Sequence, residues 1–205
     1  YESSVLSLAD SDFDGVDDDD DGFPNDSTRA TVTTASGTGK FTIDVSGVPG
    51  AILEDVRAMA DDDPSIDQTN KPGDREFRDG MLGFTVTGIA WGATIEVEIT
   101  CPTALSGDTV PYKTDDDGFA DFTSNSAVAG NTYTLTLTDG GTGDSDLTVD
   151  GYITDPFGPA WASSSGSGGE VTASATPSSF SKIISFFSLS TVTSMRSPRE
   201  KVSLR

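Results

Sequence analysis

The chain has 205 residues, with 34 acidic and 12 basic side chains, no histidine and one cysteine, for a formal net charge of −22. A surface this acidic repels nucleic acid and anionic membranes, which are bound through clustered Lys and Arg. Without histidine there is no Ser-His or Cys-His pair, no usual zinc ligand set and no ordinary proton shuttle at neutral pH, and a lone cysteine excludes an internal disulfide.

Tyr1 opens the chain without a charged and apolar leader pattern, as expected of a mature or trimmed form. Val5, Leu6 and Leu8 fit a short edge strand, and an acidic run from Asp10 to Asp26 follows. Beyond it, segments 30–36, 39–46, 51–59, 82–89, 93–101, 109–113, 119–123, 131–138 and 147–154 are predicted strands. Phe41-Thr42-Ile43-Asp44-Val45 and Tyr133-Thr134-Leu135-Thr136-Leu137 alternate with period two, one face apolar and the other polar. Turn signals at Val48-Pro49-Gly50, Lys71-Pro72-Gly73 and Asp139-Gly140-Gly141 separate them. Many short strands so punctuated predict an all-β fold, an antiparallel β-sandwich over 29–162, preceded by a calcium-binding loop segment over 1–28. Cys101 falls in phase with Ile95, Val97 and Ile99 and is expected to be a buried small hydrophobe. No apolar run approaches the roughly 20 residues that span a bilayer.

Residues 163–169 (SSSGSGG) break the pattern as a flexible linker, and the domain 163–205 ends in a basic, β-prone tail. Residues 170–205 carry five basic and two acidic side chains, while the first 169 carry seven basic and 32 acidic ones, a local charge of −25. The tail's Ile183, Ile184, Phe186, Phe187, Leu189 and Val192 are expected to form a strand that docks on an acidic body.

The acidic run has the spacing of a twelve-residue calcium loop, in which positions 1, 3 and 5 supply carboxylates, position 6 is the turn glycine, position 7 supplies a carbonyl, and positions 9 and 12 close the sphere. Here those are Asp10, Asp12, Asp14, Gly15, Val16, Asp18 and Asp21. Aspartate replaces the usual glutamate at position 12, and helices are not expected on either flank. A second, overlapping copy would use Asp17, Asp19 and Asp21 before Gly22, with the Phe23 carbonyl, Asn25 and Asp26. The competing reading is a solvated acidic linker, against which the glycine phase is met twice. Through Asp10-x-Asp12-x-Asp14-Gly15 and the ending Phe23-Pro24-Asn25-Asp26, the segment resembles thrombospondin type 3 repeats, which string calcium ions along an almost coreless chain.

A second resemblance covers about 50–160. Asp79-Gly80-Met81-Leu82-Gly83-Phe84, Trp91-Gly92-Ala93-Thr94-Ile95, the stretch from Tyr133 to Asp146 and Gly151-Tyr152-Ile153-Thr154-Asp155-Pro156-Phe157-Gly158-Pro159-Ala160 are similar to the bacterial choice-of-anchor U domain. That resemblance implies a secreted or cell-surface protein, although the tail departs from the anchor segment that normally follows. Within it, Asp139, Asp144, Asp146 and Asp155 make an oxygen-rich cluster around a glycine turn, readable as a further calcium site or as plain turn chemistry. Asp61-Asp62-Asp63 with Asp67, and Asp115-Asp116-Asp117, are balanced between ion binding and solvated loop.

Paired carboxylates alone could serve a glycosidase, but these lie in glycine loops that favour coordination, so the chain is not expected to be an enzyme. The sequence points instead to a calcium-stabilised extracellular structural protein, a homopolymer in which the tail of one subunit adds a strand to the next. The alternative is a calcium-dependent adhesin or glycan-binding module using Trp91, Trp161, Tyr112, Tyr133 and Tyr152, aromatics that packing would also explain.

Overall fold

In a computed structural model, residues 9–164 are described, and they belong to one compact unit. The strand expected over 1–9 and the docking tail lie outside the described residues, apart from Ala9. Eleven strands follow the acidic run: β1 (Arg29–Thr33), β2 (Lys40–Asp44), β3 (Ile52–Met59), β4 (Arg75–Glu76), β5 (Met81–Thr87), β6 (Thr94–Thr100), β7 (Val110–Asp115), β8 (Gly118–Asp121), β9 (Ser126–Ala129), β10 (Thr132–Thr138) and β11 (Ile153–Ala162). A single 3₁₀ turn, Thr123–Asn125, stands among them, and among the described residues no helix is long and apolar enough to cross a membrane.

Two antiparallel sheets form the sandwich, ordered β1-β2-β6-β10-β9 and β3-β5-β11-β7-β8, with β4 paired to β11. The alternation of β2, β6 and β10 turns Phe41, Ile43, Val97, Ile99, Leu135 and Leu137 inward to meet Leu53, Phe84, Val86, Ile153 and Phe157 of the facing sheet. Burying each such side chain contributes about 1.5–3 kcal/mol. Cys101 is buried in this core, and burial drives its thiol far above its ordinary range. β5 is buried along nearly its whole length because its outer face is covered too: Met59, Met81, Phe119 and Ala160 pack with Ile66 and Phe77 from the 60–80 region.

The main departure from the sequence reading is at the end of the sandwich. Residues 147–152 are loop, with Leu147 in the left-handed region (φ 53°) and both Leu147 and Val149 exposed, and the strand runs instead from Ile153 to Ala162 through two prolines. β11 tolerates them because its pairings are staggered. Residues 153–157 register with β5 and 157–160 with β7, so Pro156 and Pro159 each register with one of these two strands.

Candidate metal centre

The acidic run is built onto the sandwich rather than hanging from it. Val16 enters the core, Asp18 N–H donates to the Ala9 carbonyl (2.7 Å), and Val56 N–H donates to the Asp14 carbonyl (2.9 Å). That last bond is offered by a bulge in β3 between Glu54 and Arg57, where Asp55 adopts φ 54°. Gly15 sits against the bulge at φ 103°, where a Cβ would lie 2.9 Å from Val56 N, so position 6 of the loop requires glycine for both conformation and space.

This docking gathers Asp10, Asp12 and Asp14 so that one carboxylate oxygen from each lies within 4.8 Å of the other two, a group able to hold a metal ion. Each is pre-oriented by backbone N–H groups. Asp10 accepts from Phe13 (2.8 Å) and Gly15 (3.1 Å), Asp14 Oδ1 accepts from Val16 (2.8 Å), and Asp12 Oδ2 accepts from Asp26 (2.7 Å). The Val16 carbonyl accepts no backbone hydrogen bond among the described residues. The charge of Asp21 acts on Asp12 and Asp14; its Oδ1 accepts from Thr31 N–H (2.7 Å), while its Oδ2 and Asp14 Oδ2 are buried without a hydrogen-bond partner.

Electrostatics follow from this crowding. Burial, with Asp12, Asp21 and Asp10 nearby, pushes the Asp14 carboxyl up to about 7, and burial raises Asp12 for the same reasons. Three clustered carboxylates with the charge of Asp21 acting on two of them hold together at neutral pH only with protons or a cation among them. Hard oxygen donors without nitrogen or sulfur fit calcium or magnesium better than a transition metal.

The remaining residues of the run are spent otherwise. Asp18 accepts from Ser11 N–H and Oγ (both 2.8 Å), the Asp17 carbonyl accepts the N–H groups of Asp20 and Asp21, and Asp19 is exposed. The Phe23 carbonyl accepts from Asn25 (2.6 Å) and Asp26 (2.9 Å), and Asn25 is exposed. Hydrogen bonds from Thr28 and Arg29 hold the Asp26 carboxyl below its ordinary value. Among the described residues the carboxylates of the second, overlapping copy are not gathered into a group as Asp10, Asp12 and Asp14 are, and its Phe23 carbonyl and Asp26 carboxylate are engaged in the turn into β1.

Nor are Asp139, Asp144, Asp146 and Asp155 brought together as ligands. The Asp139 carboxylate is clamped by Gly92, Asp150 and Gly151 N–H groups (2.7, 3.1 and 3.0 Å). Burial alone would raise its pKa, but the three bonds outweigh it and the pKa is lowered. Asp144 accepts from Gly140 (2.8 Å) and Thr154 (3.2 Å), Asp146 closes a turn onto Thr148 (2.7 Å), and Asp155 pairs with the buried Lys113. Sequence reasoning missed Lys113, whose only signal was its phase with Pro111 on the inner face of β7.

Asp61 pairs with Lys71 (2.9 Å), Asp63 and Asp67 cap turns onto Ser65 and Thr69, and Asp115 to Gly118 form the β7–β8 hairpin turn. Of the five aromatics considered for ligand stacking, Tyr133 and Trp161 are buried and Tyr112 packs on Phe77, whereas Trp91 and Tyr152 are exposed.

Fold and site together define an antiparallel sandwich with an aspartate loop seated on a bulged strand. No family model, curated protein or solved structure matches this chain.

Proposed function

We propose that the protein is a calcium-stabilised extracellular structural module, without catalytic activity, in which one ion held by Asp10, Asp12, Asp14, the Val16 carbonyl and Asp21 fastens the N-terminal segment to β3. The observation that carries this reading is the buried, partnerless Asp14 Oδ2 within the cluster it makes with Asp10 and Asp12, with the charge of Asp21, whose Oδ2 is also buried and partnerless, acting on it. Bound calcium would supply the positive charge that this group lacks. Calorimetric titration of the full chain tests it: saturable calcium binding, lost in Asp14→Asn, is expected, and absence of binding at millimolar calcium would overturn it.

Self-assembly is the second part of the reading, supported by the charge contrast between the first 169 residues and the last 36. A neighbour's tail would add to a strand at a sheet end, such as β9 with its exposed Val128. Negative-stain microscopy with calcium and then with chelator checks it: filaments that dissolve on chelation support assembly, and discrete particles in both conditions remove it. One observation favours an adhesin instead. Trp91 is 78 % exposed near Val149 and Gly151, with Leu147 and Tyr152 also exposed. A monomer whose glycan binding is lost in Trp91→Ala would establish that reading.

A further inference from the structure

Far from the aspartate loop, β7 and β11 place a lysine and an aspartate in the interior. Lys113 registers opposite Phe157, and Asp155 lies two residues from Phe157 on the same inward face, a diagonal that a lysine side chain spans. The two side chains are 6 % and 0 % exposed. Lys113 Nζ contacts Asp155 Oδ1, and beyond that contact neither Nζ nor either Asp155 oxygen has a hydrogen-bond partner. The Phe122 ring lies 5.2 Å from Nζ, and Phe84 is the cross-strand neighbour of Asp155 on β5. Asp144 and Asp115 are the other charged groups acting on the ammonium, and Asp144 also acts on Asp155.

An ion pair so placed is costly, because the desolvated charges need several hydrogen bonds that this apolar surround does not supply. A neutral amide at the same position would remove both charges and leave one N–H and one C=O in place of an ammonium and a carboxylate. We propose that Lys113 and Asp155 are joined by an intramolecular isopeptide bond that locks β7 to β11.

The reaction is self-contained. A proton passes from the ammonium to the carboxylate, a transfer that burial favours by lowering the lysine pKa and raising that of the aspartate. The amine lone pair then attacks the Asp155 carboxyl carbon, forming the C–N bond. The C–O bond to the hydroxyl breaks, and the hydroxyl departs as water with a proton from nitrogen. No oxidant, nucleotide or second protein is required.

The test is the intact mass of the full chain, measured after complete denaturation, followed by tryptic mapping. The expected result is a mass one water below that of the sequence, with the Lys113–Thr114 bond uncut and residues 79–182 recovered as one internally looped peptide, which chymotrypsin then converts into a branched species holding the Lys113 and Asp155 fragments. Lys113→Arg should recover the full sequence mass whether or not it folds well. A wild-type chain at the full sequence mass overturns the proposal. So does a water-short chain in which the two peptides separate, since imide formation at an Asp-Gly step would account for that loss.

Discussion

Replacing Asp14 with asparagine should change the sign of one contribution to stability. At pH 8 with chelator, Asp14 is ionised among Asp10, Asp12 and Asp21, although its group titrates at about 7 against 3.8 for an ordinary aspartate. By linkage the ionised form costs roughly 4 kcal/mol, reduced to about 2–3 kcal/mol by solvent at the loop's open side. Because the folded-state value is the higher one, stability without metal is greatest at low pH and falls as pH rises from about 4 to about 7. Asparagine keeps the acceptor for Val16 N–H and removes the charge. Asp14→Asn in chelator at pH 8 should therefore unfold about 4–8 °C above wild type and lose most of that pH dependence. With calcium at a thousandfold excess over Kd the order reverses, since wild type gains about 4.1 kcal/mol and the variant gains little. Scanning calorimetry with calcium and with chelator reads all four states. A variant less stable than wild type in chelator, or equally stabilised by calcium, would refute the reasoning.

Asp139→Ala leaves three N–H groups without their acceptor and should cost about 3 kcal/mol or more in urea denaturation, with calcium response retained. Because the Asp139 pKa is lowered by folding, its contribution is present above about pH 4 and fades as pH falls further, which acid titration of wild type against Asp139→Asn should resolve. Gly118→Ala should cost about 3 kcal/mol in the same assay, since φ is +90° and its Cβ would lie 2.0 Å from the Thr69 carbonyl oxygen. Val128→Lys, on the exposed face of β9, should leave the monomer's stability within about 0.5 kcal/mol while reducing filament formation if β9 accepts the tail, as sedimentation would report.

Much of the sandwich could be read from alternation alone. β2, β6 and β10 each bury one face, and Cys101 sits among the apolar residues where its phase placed it. The glycine phase correctly picked out Asp10, Asp12 and Asp14 as neighbours, because Gly15 forces a turn that local sequence encodes. What local sequence does not encode is what a carboxylate beside a glycine is for. Asp139 and Asp26 carry the same signature as ion ligands, yet they bind backbone N–H groups or an arginine brought in from outside the motif. β11 was hidden by Pro156 and Pro159, which are acceptable only because of which neighbour each residue registers with. Residues 147–149, by contrast, alternate like a strand while lying in a loop. The bulge at Asp55 that receives the aspartate loop leaves no period of its own, and neither does the meeting of Lys113 with Asp155 across 42 positions of chain.

The position of β11 has a mechanical consequence. The described chain leaves the sandwich from the middle strand of a five-strand array, flanked by β5 along its first half and β7 along its second, with β4 beside its end. Tension applied beyond Ala162 would load those ladders in shear, along the strand, so many hydrogen bonds would have to fail together. A terminal edge strand would instead peel away one bond at a time. A module that transmits force through its C-terminal end would thus resist extension by its topology, whatever the length of whatever it is tethered to.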